Sequence, residues 1–164
     1  MPFSSPILRP LKPTDAFAAR ALAEREFARV PQAEAARSAV ESALGGASDE
    51  YRTVVAETDG EVIGVAVYGM IAGTRGTAKL HAILVTASAR TRGIAGRLCD
   101  HVARELAREG ARLIIAEVPD CGALRPGLQL LQRCGWHEEA RVPDFFAAGE
   151  ALLLFRRELT DEVR

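Results

Sequence analysis

The chain has 164 residues, of which 48% are hydrophobic and 26% charged, as is ordinary for a soluble globular protein. The 21 Lys and Arg against 22 Asp and Glu give a formal net charge of -1, which excludes an overall basic surface for nucleic acid. The length favours one domain over residues 1–164. No uncharged stretch is long enough to cross a membrane as a helix, and three cysteines without CxxC spacing predict reduced thiols in a cytoplasmic protein without a metal site.

The order of the predicted elements indicates a mixed sheet with helices on both faces, of the α/β or α+β class. Residues 7–9 form a strand that Pro10 ends, and a helix opens at residues 13–15 with Thr14 or Asp15 as its cap. Its predicted core residues are Phe17, Ala21, Leu22 and Phe27. The other predicted helices cover 33–44, 94–109 and 126–133, and the other predicted strands cover 53–57, 62–70, 78–85, 113–118, 136–142 and 151–156.

The strand over 78–85 and the loop after it form the most informative segment. Regular alternation predicts one face with Leu80, Ala82 and Leu84 and an opposite face with His81, Ile83 and Val85. The loop contains three arginines and two glycines and leads into an amphipathic helix that begins near Ile94.

The N-terminus of that helix predicts a site for an anion such as a diphosphate. Its first N–H groups are unpaired and form the positive end of the helix dipole. Three small residues let an anion approach them, and three arginines pair well with phosphate oxygens. These are Gly93, Ala95 and Gly96, and Arg90, Arg92 and Arg97. The same residues also fit an ordinary strand-to-helix turn with solvent-exposed arginines.

The pattern Arg90-x-x-Gly93-x-Ala95 resembles the acetyl-CoA signature of the GNAT (GCN5-related) N-acetyltransferase superfamily. The order of elements resembles that family over most of the chain, and the later segment Arg133-Cys134-Gly135-Trp136 resembles a second family motif.

This resemblance implies a mostly antiparallel sheet that is splayed between the fourth strand and the strand after the signature helix. It also implies acetyl-CoA as co-substrate, with pantetheine bound by the backbone of Leu84 and Val85. The pyrophosphate is then expected at Arg90, Thr91, Arg92, Gly93, Ile94, Ala95, Gly96 and Arg97.

The catalytic residues are less clearly marked. Many family members have a Tyr that protonates the leaving thiolate, and the matching position here is Leu131; Lys79 stands where some members have an acid. The candidates for the general base are Glu117, at the carboxyl end of a predicted strand, and His81, which titrates near neutral pH. Either residue could instead have only a structural role. Tyr68 could replace the missing acid or could be a core aromatic residue.

Two further features stay open at this stage. The segment Asp144, Phe145 and Phe146, in a predicted loop over 143–149, could shape an acceptor pocket or a dimer contact, or could be a plain turn. Cys121 and Cys134 are predicted to be packing residues.

The resemblance implies an N-acetyltransferase in which the primary amine of a small molecule attacks acetyl-CoA directly. No nucleic acid, membrane or metal is expected as a partner, and a homodimer stays open. The alternative is a catalytically weak protein of the same fold that binds acyl-CoA as a sensor or an interaction module.

Overall fold

The computed structural model describes residues 4–159, which form one seven-stranded sheet with two α-helices on each face. The strands are β1 Ile7–Pro10, β2 Arg52–Thr58, β3 Glu61–Met70, β4 Thr77–Val85, β5 Leu113–Pro119, β6 His137–Ala147 and β7 Glu150–Glu158. The helices are α1 Ala16–Phe27, α2 Glu34–Gly45, α3 Ile94–Arg108 and α4 Arg125–Arg133. The strand order is β1-β2-β3-β4-β5-β7-β6, and among these strands only β4 and β5 pair in parallel. The predicted mixed, mostly antiparallel architecture is confirmed.

Helical apolar stripes explain why both faces of the sheet are covered. In α3, Leu98, Val102 and Leu106 recur at helical spacing, and each is at most 1% exposed against one face. Leu22 of α1 and Val40 of α2 join a second apolar cluster on the opposite face. We call these two sides of the sheet the α3 face and the α1/α2 face.

The prediction that Phe17 is a core residue is wrong. Its side chain is 84% exposed, whereas Ala19, Leu22 and Ala23 of the same helix are buried. Those three residues form a stripe at i, i+3 and i+4 that faces the sheet. Phe17 lies on the opposite side of the helix because residues 17 and 19 are separated by about 200° at 3.6 residues per turn.

The ladder between β4 and β5 is short. It joins Thr77, Ala78 and Lys79 to Leu113, Ile114 and Ile115 and then ends, although β4 continues to Val85 and β5 continues to Pro119. On its other edge β4 stays paired with β3 as far as Val85, opposite Gly64. The predicted divergence of the fourth strand from the strand after the signature helix is therefore present.

A β-bulge at His81 overturns the predicted alternation along β4. Leu80 pairs with Tyr68 and Ala82 pairs with Val67, so His81 is an extra residue in the ladder. One extra residue reverses which face each later side chain points to. Leu80 consequently packs on the α3 face, whereas Ala82 and Leu84 pack on the α1/α2 face.

The last hairpin also differs from its prediction. Strand β6 continues to Ala147, through most of the predicted loop over 143–149, with an irregular register between Val142 and Ala147.

None of the helices within residues 4–159 is long and apolar enough to cross a membrane.

Candidate functional site

The loop after β4 leads into a helix N-terminus that has no side-chain cap. Thr91, with φ 64°, and Gly93, with φ 75°, turn the chain into α3 in the left-handed region of backbone space. Gly93 is the N-cap residue and has no side chain that could accept a bond from the first helical N–H groups. A Cβ built on Gly93 would meet no atom within 4 Å, so the space beside this turn is open. This geometry is suited to the predicted anion site.

Arg90 and Arg97, which were predicted to bind phosphate, bind protein groups in this structure. Arg90 donates a hydrogen bond to the carboxylate of Glu26 in α1, and the two form an ion pair. Arg97 donates a hydrogen bond to the carbonyl oxygen of Pro6 at 3.0 Å. Arg92 is exposed on the loop. The backbone N–H groups of α3 are therefore better placed than Arg90 or Arg97 to bind an anion without a rearrangement.

The end of β4 offers backbone groups beside the same loop. Leu84 and Val85 are buried, and both pair with β3 on one side. On the other side the ladder to β5 has already ended, so the backbone N–H and C=O groups of β4 that face β5 lack a strand partner there. An extended ligand can bond such groups as an added strand does. The structure thus brings Leu84 and Val85 next to the start of α3.

A polar cluster lies on the α1/α2 face where β4 and β5 diverge. Lys79 and Glu117 alternate along their strands with residues that are buried on the α3 face, so both side chains point to the opposite face. Lys79 Nζ donates a hydrogen bond to a carboxylate oxygen of Glu117 at 2.7 Å. His81, in the bulge of β4, is close enough to interact electrostatically with both charges. The two candidates for the general base therefore belong to one cluster.

The residues that contact His81 are far from it in the sequence and carry no motif that predicts the contact. Its Nε2 lies 3.1 Å from the carbonyl oxygen of Glu50, and its ring lies 4.9 Å from the ring of Tyr51, centroid to centroid. Burial lowers the pKa of His81 below its ordinary 6.5, the bond to Glu50 and the charge of Glu117 oppose this effect, and the charge of Lys79 adds to it. His81 is consequently neutral at pH 7, as a base must be before it accepts a proton.

Both positions considered from the sequence for a proton donor belong to the apolar cluster of the α3 face, away from His81. Leu131, at the position of the family's Tyr, is 7% exposed and belongs to the apolar cluster of that face. Tyr68 is buried in the same cluster, and the guanidinium of Arg52 lies 5.2 Å from its ring centroid. Burial raises the pKa of Tyr68 above its ordinary 10.0. Tyr68 is therefore a core aromatic residue, on the face opposite to His81.

The turn between β6 and β7 uses Asp144 structurally. The carboxylate of Asp144 accepts a hydrogen bond from the N–H of Gly149 at 2.7 Å, and Phe145 and Phe146 form an edge-to-face pair. Phe145 is 54% exposed, so this aromatic pair is not tucked beneath the turn.

The three cysteines are free thiols. Cys121 packs against the α1/α2 cluster and Cys134 against the α3 cluster, as predicted. Within residues 4–159, no three His, Cys, Asp or Glu side chains converge as a metal site requires.

Comparisons with known proteins agree with this geometry. The model of the acetyltransferase (GNAT) family matches residues 17–136. A solved structure assigned to the GNAT family of acetyltransferases, from Desulfovibrio desulfuricans, is 27% identical, with a TM-score of 0.84 over 95% of this chain and 100% of that one. No curated protein matches the chain by sequence.

Two more distant structures share the fold. One is the ribosomal-protein-S18-alanine N-acetyltransferase from Escherichia coli, 17% identical, with a TM-score of 0.75 over 94% of each chain. The other is an aminoglycoside 6'-N-acetyltransferase complexed with coenzyme A, 14% identical, with a TM-score of 0.76 over 94% of this chain and 97% of that one.

Proposed function

Because the chain belongs to the acetyltransferase (GNAT) family, we propose that it transfers an acetyl group from acetyl-CoA to the primary amine of a small molecule. The observation that supports this most directly is the early end of the β4–β5 ladder beside the uncapped N-terminus of α3. Coenzyme A contains both of the groups that this site can bind, at the open strand edge and at the helix N-terminus. Its pantetheine arm contains amide groups that can bond an open strand edge, and its diphosphate suits a helix N-terminus.

The residues of this chain fit the coenzyme at two points. The end of β4, at Leu84 and Val85, would bond the pantetheine arm through the backbone groups that face β5. The loop from Arg90 to Arg97 would bind the diphosphate through the N–H groups around Gly93, Ile94 and Ala95. Thr91, Arg92 and Gly96 line the same turn, and Gly96 has no side chain to obstruct it. Arg90 would add its charge if the phosphate displaces Glu26.

In the proposed reaction, a residue of this chain removes a proton from the acceptor amine. Acetyl-CoA supplies the acyl group as a thioester. His81 takes a proton from the acceptor ammonium, so that the neutral amine can form the N–C bond as the C–S bond breaks. The sulfur leaves with the electron pair of the C–S bond, and the new amide nitrogen releases its second proton to solvent. Solvent also protonates the leaving thiolate, since Leu131 has no proton to give. Glu117 is the second candidate for the base, but its carboxylate already accepts a hydrogen bond from Lys79.

The class of the acceptor is tested with a panel of amines. The two distant structures with the same fold act, by their names, on an alanine of a ribosomal protein and on an aminoglycoside. The panel therefore needs aminoglycosides, simple diamines and peptides with a free N-terminus.

The three free thiols fit the reducing cytoplasm, where we place the protein.

The decisive measurement is release of free coenzyme A thiol from acetyl-CoA with this panel, for the wild type, His81→Gln and Glu117→Gln. Losing a general base typically costs about 100- to 10,000-fold in rate, and we expect a loss of that size in kcat for His81→Gln. The acid limb of the wild-type pH profile should lie below pH 6.5, because burial lowers the pKa of His81. His101→Gln is the matched control, since His101 is a partly buried histidine of α3.

A different outcome would favour the second candidate function, an acyl-CoA sensor or interaction module. The apolar Leu131 and the Lys79–Glu117 ion pair are the observations that support it. Tight coenzyme A binding by calorimetry without thiol release for any amine would establish that function and reject the transferase.

A further inference from the structure

Gly69 of β3 lies directly beneath residues 48–51, the segment that contacts His81. A Cβ built on Gly69 would fall within 3.0 Å of the carbonyl oxygens of Asp49 and Glu50, closer than real Cβ atoms come to backbone. The N–H of Met70 donates a hydrogen bond to the carbonyl of Asp49 at 2.7 Å, which fastens the segment to β3. Any side chain at position 69 would lift this backbone away from the sheet.

The same segment presents an acceptor to the imidazole ring. A carbonyl oxygen can only accept, so the 3.1 Å contact between Glu50 and His81 Nε2 requires the proton to be on Nε2. In the neutral ring the lone pair is then on Nδ1. The ring of Tyr51, the next residue, lies against the imidazole with a tilt of 34° and limits its rotation. A turn in which Ser48 and Tyr51 exchange hydrogen bonds at 3.1 Å stabilises the segment on its other side.

We propose that Gly69 is a positioning residue of the transfer reaction: its missing side chain lets the Glu50 carbonyl bond His81 Nε2, and this bond fixes the tautomer in which Nδ1 takes the proton of the acceptor amine. The inference rests on the proposed function for its catalytic part. Its structural part, the tautomer of His81, can be measured without any turnover.

Among the described residues, the charged side chains around His81 act on its titration, and none of them is hydrogen-bonded to its ring. Lys79 on β4, Glu117 on β5 and Glu50 before β2 all interact with its charge. The hydrogen bond to the Glu50 carbonyl engages Nε2 and not Nδ1, so it distinguishes the two ring nitrogens directly.

The first test is the tautomer in the full-length wild type, from long-range proton–nitrogen NMR correlations well above pH 6.5. We expect a pyridine-type Nδ1 and a protonated Nε2 for His81. A protonated Nδ1, or an equal mixture of tautomers, overturns the proposal, and this result does not depend on whether any variant folds.

The second test is Gly69→Ala, with Gly64→Ala as its matched control on the same strand. At Gly64 the added Cβ meets Leu98 and Ile94 on the α3 face at 3.1 and 3.2 Å and the carbonyl oxygen of Leu84 at 3.3 Å. This change strains contacts at the end of β4 and on the α3 face, and none of these contacts involves His81. We expect Gly69→Ala to mix the tautomers and Gly64→Ala to leave them unchanged. A displacement of about 1 Å can cost about 100-fold in rate, so kcat of Gly69→Ala should fall to that extent while KM for acetyl-CoA is unchanged.

The outcomes separate the two hypotheses. A wild type with the expected tautomer that acetylates no amine overturns the proposed function, and with it the catalytic role of Gly69. Full kcat in a Gly69→Ala variant with mixed tautomers overturns the positioning role alone. Should Gly69→Ala fail to fold, the His81 tautomer in Tyr51→Leu shows whether the Glu50 carbonyl or the Tyr51 ring sets it. Nε2 stays protonated if the carbonyl sets the tautomer, and a switch to a protonated Nδ1 means that the Tyr51 ring did and overturns the proposal.

Discussion

The two edges of β5 differ in how far they pair with their neighbours. Toward β7 the ladder runs the full length of the strand, from Leu113 opposite Glu158 to Pro119 opposite Leu152. Toward β4 it ends at Ile115, opposite Lys79. The sequence of β5 is the same on both sides, so the difference comes from the neighbouring strands.

The strand that diverges from β5 is β4, which leads into α3. β4 stays paired with β3 up to Gly64, and Gly64 lies close against Leu98 and Ile94 at the start of α3. The end of β4 therefore follows β3 and α3 and separates from β5. The fully paired edge stabilises the sheet, whereas the open edge leaves backbone groups that a ligand can bond, beside a helix N-terminus that can bind an anion.

The largest expected effect is on the closed edge, from Leu153→Ala in β7. Leu153 is 2% exposed in the α3-face cluster and pairs with Val118. Truncating a buried Leu typically costs about 2–5 kcal/mol of unfolding free energy, and we expect a loss in that range by urea denaturation. Leu154→Ala, a partly buried neighbour, should cost less. Coenzyme A affinity per folded molecule should be unchanged, and a weakened affinity would mean that the two edges are not independent.

The next effect concerns the open edge and its anion site. Gly93→Val places a branched side chain at a φ of 75°, beside the N–H groups of α3. We expect coenzyme A affinity to fall by about 10- to 100-fold in calorimetry. The control is Gly73→Val, in the turn at the other end of β4, where φ is 77° and the space is equally open. Both variants should lose about 1–2 kcal/mol of stability to backbone strain, but only Gly93→Val should bind coenzyme A less tightly.

Equal affinity losses in both glycine variants would mean that general strain, and not the position of Gly93, weakens binding. Unchanged affinity in both would place the diphosphate away from the α3 turn and would contradict the assignment made from the signature Arg90-x-x-Gly93-x-Ala95.

Many of the elements on both sides of β5 could be predicted from local sequence. The apolar runs of β3 and β5, the stripe of α3 and the small residues at its start depend on neighbours within a few positions, and the pattern around Gly93 identified the family. The order of elements then implied the divergence of β4 from β5, which the ladder confirms.

The environment of His81 could not be predicted, because it depends on distant residues. The bulge in β4 exists only in the register with β3, and no local pattern signals which residue is extra. Glu50 contacts both His81 and Gly69, although the three residues are far apart in the sequence, because the segment before β2 crosses the sheet at this point. For the same reason, the pairing of Arg90 with Glu26 and of Lys79 with Glu117 was not anticipated.

The smallest effect on stability is expected from Lys79→Met, at the last paired position of the open edge. The Lys79 and Glu117 side chains are 24% and 41% exposed, and such ion pairs contribute less than about 1 kcal/mol to stability. The informative readout is the pH profile of kcat. Burial is the main cause that lowers the pKa of His81; the charge of Lys79 lowers it further, and the charge of Glu117 raises it.

Removing one charge at a time should therefore shift the acid limb in opposite directions. Without Lys79 the pKa of His81 rises, so activity is lost at a higher pH as the ring gains its proton. In Glu117→Gln the pKa falls, and activity persists to a lower pH. Lys79→Arg retains the charge and should leave the limb in place. If Glu117 were the base instead, Glu117→Gln would lose its activity at every pH, and no shift of the limb could restore it.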